Sequence, residues 1–250
     1  MDVKKFIGYE ICDAPLSYWG GLILGSINDS VRIIVTPNVD HFSRLENDDL
    51  FRQLYAQADF IICDSRIIQK LSYFLGDSSI KNVVPGSDLT KFIFERISAS
   101  SKSVCIVGPC EADVDKVRHL YSVNNIRCIE PSMGFINRES EVKQIVYDII
   151  SYRSDIVFLA VGSPQQEVLA VNVKKRIREL GADYCPYILC IGASIDFISG
   201  KTARAPVFVQ KLHLEWLHRA LSDPTRLIPR YWKNFVWLSK LVFKKLVIRI

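Results

Sequence analysis

Asp155-Ile156-Val157-Phe158-Leu159-Ala160-Val161, followed at once by Gly162-Ser163-Pro164-Gln165-Gln166-Glu167, is the stretch whose reading decides the fold. The apolar run reads as a buried strand, the glycine as the turn that leaves it, and Pro164 as the first position of the next helix. In a parallel sheet such a turn sets backbone N–H groups and the Gln166 and Glu167 side chains at the carboxyl edge, where nucleotides and phosphates bind. Taken alone, it is equally an ordinary strand-to-helix connection.

The same alternation extends outward from that stretch. Val31 to Val35, Phe60 to Cys63, Ser103 to Val107, Ile126 to Glu130 and Tyr187 to Ile191 are further strand candidates. Helical periodicity falls on Asp49 to Gln57, Arg66 to Leu75, Asp88 to Ser98, Asp113 to Ser122, Glu139 to Ser151 and Gln165 to Glu179. Strands and helices in regular succession predict an α/β fold, a mostly parallel sheet with helices on both faces. There is no internal repeat, and Gly200 to Pro206 is the best boundary, giving a core over 1–203 and an appendage over 204–250.

The 250 residues, 49% hydrophobic and 24% charged, are enough for a full core without staples. None of the seven cysteines forms a C-x-x-C pair, and Cys63, Cys105, Cys128 and Cys190 fall in strand-like runs, so buried thiols in a reducing cytoplasm are expected. Met1 to Phe6 lacks the apolar segment of a signal peptide, and no apolar stretch is long enough to span a bilayer. Charge is unevenly distributed. Residues 1–203 carry 22 Lys+Arg against 25 Asp+Glu, whereas residues 204–250 carry 10 against 2 together with Trp216, Trp232 and Trp237.

Four clusters sit at strand ends and converge on one crevice in such a sheet: Thr36-Pro37-Asn38, Asp64-Ser65, Gly162 to Glu167, and Gly192 to Arg204. Thr36 and Asp64 each have a plainer reading as helix caps. Asp113-Val114-Asp115 has the form of a metal-binding pair, but its helical setting predicts a solvated helix face instead.

Taken in order, Thr36-Pro37-Asn38 with Asp40-His41, Ala58-Asp59 to Asp64, Val84-Pro85-Gly86-Ser87-Asp88-Leu89, Gly162-x-Pro164-x-Gln166-Glu167, Gly192-Ala193-x-x-Asp196-Phe197, Gly200-Lys201, Arg204-Ala205-Pro206 and Leu214-Glu215-Trp216-Leu217-x-Arg219 resemble the WecG/TagA/CpsF glycosyltransferases over roughly residues 8–235. The resemblance implies a Rossmann-like core with a C-terminal appendage that helps close the site. It also implies an inverting, metal-independent transfer from a UDP-sugar to an undecaprenyl-diphosphate-linked acceptor, with no cofactor, in exopolysaccharide, teichoic acid or antigen synthesis at the inner face of the plasma membrane. Donors in that family include N-acetylmannosamine, its uronic acid, glucose and galactose, and no motif here separates them.

Carried over residue by residue, Asp64 matches the base, Thr36 and Asn38 the substrate-contacting pair, and Gln166 and Glu167 the nucleotide-side pair. Gly162, Pro164, Asp196 and Arg204 lie within matching motifs. Arg219 and Arg226 match appendage arginines that meet the diphosphate, a task suited to bidentate guanidinium geometry. Three positions depart from the pattern: Ser65-Arg66 follows Asp64, Asn82 and Val83 stand where an arginine is common, and Arg230 is alone where others have a pair.

On a helical projection Arg226, Arg230, Lys233, Lys240 and Lys244 fall within an arc of about 80°, opposite Ile228, Tyr231, Phe235, Leu238, Val242 and Leu246. That pattern predicts a basic amphipathic helix, either docked with a solvated basic face or lying on an anionic membrane. A non-catalytic nucleotide-sugar or nucleic-acid binding module using the basic tail is the competing class. The net negative body and the absence of a stacking motif count against nucleic acid. The sequence is silent on homo-oligomerisation.

Overall fold

The structure is a computed structural model that describes residues 1–25, 28–75, 78–202, 220 and 223–248, with the side chains of Arg226 and of 245–248 excepted. A hairpin of β1 (Asp2–Phe6) and β2 (Tyr9–Asp13) precedes a sheet of six parallel strands. These are β3 (Arg32–Val35), β4 (Phe60–Ile61), β5 (Val104–Val107), β6 (Ile126–Ile129), β7 (Ile156–Leu159) and β8 (Tyr187–Cys190), in the spatial order β4-β3-β8-β7-β5-β6. All six predicted strands are present, each within its predicted run.

The strands are continuous apolar runs because helices cover both faces. Alternate residues sort accordingly: Val35, Val107, Val157, Leu159 and Ile188 enter one core layer, while Ile34, Val104, Ile106, Phe158 and Leu189 enter the other. Cys63, Cys105 and Cys190 are buried free thiols, whereas Cys128, on the edge strand β6, is only partly covered.

The expected helices appear as α3 (Asp49–Tyr55), α4 (Arg66–Leu75), α5 (Gly86–Ile97), α6 (Glu111–Tyr121), α7 (Glu139–Tyr152) and α8 (Gln165–Leu180). Among the described residues three more were not expected: α1 (Leu16–Gly25), α2 (Val39–Asn47) and α9 (Ser194–Ile198). In α1 Gly20 serves packing, because a Cβ there would lie 2.1 Å from the Phe92 ring of α5. The last helix, α10 (Pro224–Ile248), carries Pro229 within it and runs along α2.

Candidate active site

Strand register builds the crevice. Val35 pairs with Cys190, Cys190 with Leu159, and Leu159 with Val107, so the segments leaving β3, β8, β7 and β5 start level with one another. After β3 the chain turns into α2, which packs in one core layer, and after β8 into α9, which packs in the other. Adjacent strands whose connections part to opposite faces form the switch-point crevice of an open α/β sheet. Thr36, Asn38, Asp64, Gly162, Gln166 and Gly192 stand around that point.

Thr36 is buried, and its hydroxyl donates to the Cys190 carbonyl (3.3 Å), bridging the two strands at the crevice. Its reading as a cap is therefore set aside. Asn38 takes that role: it caps α2 by accepting the Asp40 N–H (3.0 Å) on Oδ1, which leaves its amide NH2 as the donor that can face a ligand. The cap reading of Asp64 falls in the same way, because Ser65 Oγ accepts the Ile68 N–H (3.4 Å) at the start of α4. Asp64 is half-buried, and its N–H bonds the Pro37 carbonyl (3.2 Å), fixing it beside the Thr36–Asn38 segment.

Gly162 has φ +80°, which an L side chain rarely adopts, and the Ser163–Pro164 peptide after it is cis. Pro164 caps α8 rather than opening it, one position earlier than expected, because its ψ of 0° leaves Gln165 as the first helical residue. Gln166 and Glu167 then point inward and are almost wholly buried. Gln166 Oε1 accepts the Gly192 N–H (2.8 Å) while its Nε2 donates to Glu167 Oε1 (2.9 Å), so one side chain joins the turns after β7 and β8.

His41, quoted in the sequence only as part of a motif, completes this chain. It is buried between Asn38 and Glu167, with Nδ1 3.3 Å from the Asn38 N and 3.0 Å from Asn38 Oδ1, and Nε2 3.7 Å from Glu167 Oε1. With one ring proton, Nδ1 either receives the Asn38 N–H or donates to Oδ1, and both tautomers latch the ring to the cap. Burial drives the imidazole pKa down to about 3, opposed by Asp40 and assisted by Arg230 and Arg44. Burial likewise raises the Glu167 carboxyl above its usual range, with Gln166 acting against the shift.

The two shifts have opposite linkage. Because the folded chain resists protonating His41, that contribution is lost as pH falls from 6.5 toward 3, at up to about 1.4 kcal/mol per pH unit. Glu167 favours its protonated form, so its contribution is lost as pH rises above 4.5. We expect His41→Gln, which keeps an amide near Asn38, to lose less stability than wild type between pH 7 and pH 5 in urea unfolding. An equal loss in both proteins would remove His41 as the acid-sensitive element.

Two further groups border the crevice. Gly86, first residue of α5, approaches so closely that a Cβ there would meet Thr36 Oγ1 at 3.0 Å, which brings the N-terminus of this twelve-residue helix to the site. Arg44 on α2 pairs with Asp40 (3.2 Å) and reaches Ser163 Oγ (3.4 Å), linking α2 to the Gly162 turn. Arg44 carried no special signal in the sequence beyond its place one turn after Asp40.

Arg230 on α10 pairs with Asp40 (3.0 Å), which ties the tail to α2 beside the site. Asp196 on α9 lies 3.8 Å from Lys201, which also holds Asp113 at 3.1 Å. Asp113 is thus buried and clasped by Lys201 and Lys116 (2.8 Å), so the solvated face expected for it is corrected. The pull of two ammonium groups outweighs a surface position. Among the described residues no cluster of three or more His, Cys, Asp or Glu could hold a metal ion. Arg204 and Arg219 lie outside the described residues, and of Arg226 only the backbone, at the start of α10, is described. At the departure before Val84-Pro85-Gly86, the Asn82 N–H and side-chain amide both donate to Asp13 (2.8 Å each), so this position fastens α5's approach to β2.

The sequence profile of the glycosyl transferase WecG/TagA/CpsF family matches residues 7–249. The chain belongs to that family. Among its relatives is an N-acetylglucosaminyldiphosphoundecaprenol N-acetyl-beta-D-mannosaminyltransferase of Bacillus spizizenii, 25% identical over 84% of this chain and 76% of that protein. A protein of the same name from Staphylococcus aureus strain MW2 is 24% identical over 78% of this chain and 73% of its own length. The family match runs through α10, so the tail is part of the family's common chain.

The tail helix departs from the projection drawn on its sequence. Leu227, Asn234 and Trp237 are buried and Leu241 packs on the core, so the docked face is centred beside Arg230 rather than opposite the lysines. Ile228, Trp232, Phe235 and Phe243 face outward, 56–69% exposed, next to Lys233, Lys240 and Lys244. Packing chose the rotation: turning Trp237 inward buries one of the helix's two tryptophans and lets its indole N–H reach Glu46.

Proposed function

We propose that this protein is an inverting, metal-independent glycosyltransferase that moves a sugar from a UDP-sugar to an undecaprenyl-diphosphate-linked acceptor in bacterial surface-polysaccharide synthesis. The observation that carries the reading is the gathering of Asp64, Asn38 and Gln166 around one switch-point crevice in a chain of this family. Asp64 takes the proton of the acceptor hydroxyl as it attacks the anomeric carbon, and UDP leaves from the opposite side. Asn38 orients the acceptor, and the Gly162 turn with the Gln166–Glu167 pair seats the nucleotide. Arg204, Arg219, Arg226 and Arg230 neutralise the departing diphosphate from the appendage, residues 204–250. The test is UDP release from a panel of UDP-sugars with a short-chain lipid-diphosphate acceptor in EDTA. Release that needs added Mg²⁺ or Mn²⁺ overturns metal independence, and UDP-sugar retention without turnover favours a binding module.

The same reading places the enzyme on the inner face of the plasma membrane. Among the described residues no helix is long and apolar enough to cross a membrane. The support for peripheral binding is the outward stripe of α10, where Trp232 and Phe235 stack 5.8 Å apart beside three exposed lysines. Each lysine at an anionic surface contributes about 1 kcal/mol. Glutamate at positions 233, 240 and 244 is therefore expected to release the protein from vesicles containing phosphatidylglycerol, and sedimentation equal to wild type would sink the membrane role.

A further inference from the structure

Gln166 and Glu167 stand at the crevice, yet they offer it almost no surface. They are 4% and 2% exposed, and Glu167 Oε2 is fully enclosed. A group that water cannot reach is equally closed to a nucleotide entering from the same side. Both ends of the Gln166 carboxamide are also taken within the chain: Oε1 accepts the Gly192 N–H (2.8 Å), and Nε2 donates to Glu167 Oε1 (2.9 Å).

Those two partners leave the amide one orientation. A backbone N–H only donates and an ionised carboxylate only accepts, so a reversed Gln166 would set donor against donor and acceptor against acceptor. His41 Nε2, at 3.7 Å, is too far from Glu167 Oε1 for a hydrogen bond, whereas Gln166 is within reach. Oε2 has no hydrogen-bond partner among the described residues, and enclosing a carboxylate in that state is unfavourable. Burial accordingly raises its pKa, with Gln166, Ser163 and Arg44 opposing the shift. What this buried acid does for its surroundings is hold Gln166 in place.

The chain of bonds ends on the turn after β8. Gly192 there is half-buried with φ +55°, Ala193 beside it is exposed, and the turn enters α9 without a side-chain cap. Unlike the pair behind it, this stretch has backbone surface to present at the crevice.

We infer that Gln166 and Glu167 are positioning residues that do not touch the nucleotide: Glu167 fixes the direction of the Gln166 amide, and Gln166 fixes the Gly192–Ala193 turn, which makes the contact. The inference rests on the proposed transferase reading for the identity of the ligand, and it sharpens that reading by naming the turn, not the pair, as what meets UDP.

The test combines amide hydrogen exchange at Gly192, read by NMR with no substrate present, with equilibrium binding of UDP to the full chain. Glu167→Met keeps the side chain's length but removes the acceptor for Gln166, and Gln166→Met removes the acceptor of the Gly192 N–H itself. Each should speed Gly192 exchange about five- to tenfold, the effect of one lost hydrogen bond, and weaken UDP binding about tenfold or more as the turn loses its preset form. Glu167→Gln separates positioning from contact, because its carbonyl oxygen can still accept from Gln166. Exchange and UDP affinity should both stay close to wild type in that variant. Wild-type protection of the β5 amides, Val104–Val107, shows that a variant is folded, and if both Met variants lose it, Glu167→Gln decides alone. The inference falls if Gly192 exchange is unaltered in folded Met variants, or if Glu167→Gln weakens UDP binding as much as removal of the carboxylate from a direct contact would, by about tenfold or more. Exchange that responds as expected in a protein that binds no UDP would leave the hold on the turn standing and defeat the nucleotide reading instead.

Discussion

Asp64→Asn is expected to abolish transfer while leaving the fold and UDP binding close to wild type. An amide is the same size as the carboxylate but cannot take the acceptor proton, so turnover should fall by at least about 10²-fold. Ser65, not Asp64, accepts the first helical N–H of α4, and the backbone bond from Asp64 to Pro37 does not involve the carboxylate. A loss of stability from a missing cap is therefore not expected, and UDP release and UDP affinity can be measured on the same folded variant. Near wild-type release would remove Asp64 from the chemistry and leave it a positioning role at the end of β4.

Trp237→Ala is expected to detach α10. Trp237 is 6% exposed and joins the core layer beneath α2 and α8, and removing a buried tryptophan costs about 3–5 kcal/mol. The described tail contacts the rest of the molecule chiefly along α2, so this loss exceeds what Leu227, Leu238 and Leu241 can restore locally. The expected result is rapid proteolysis within residues 223–248 with the sheet's far-UV signal intact. Turnover of the lipid-linked acceptor should fall by at least about tenfold, because undocking carries Arg230 away from Asp40 beside the site. Trp237→Phe, which keeps most of the apolar area, should retain docking and turnover. A protease-resistant, fully active Trp237→Ala protein would show that other contacts hold the helix.

The sequence by itself determined the body of the fold. Six apolar runs became six parallel strands because residues covered on both faces must all be apolar, and that leaves a continuous signal. The glycine and polar residues just beyond those runs marked the strand ends, and with them Thr36, Asn38, Asp64 and Gln166. What escaped was encoded by partners distant in the chain. Gly20 weakens the helical signal of α1 until Phe92 supplies the reason for it. His41 looks like a motif companion until Glu167, far along the chain, closes on its other side. Asp113 reads as solvated until Lys201 arrives. The rotation of α10 was likewise undecided by its own projection, because a helix with apolar residues around much of its circumference can bury any of several arcs. Only the shape of the surface along α2 selects the arc that admits Trp237, and that choice turns Trp232, Phe235 and Phe243 outward.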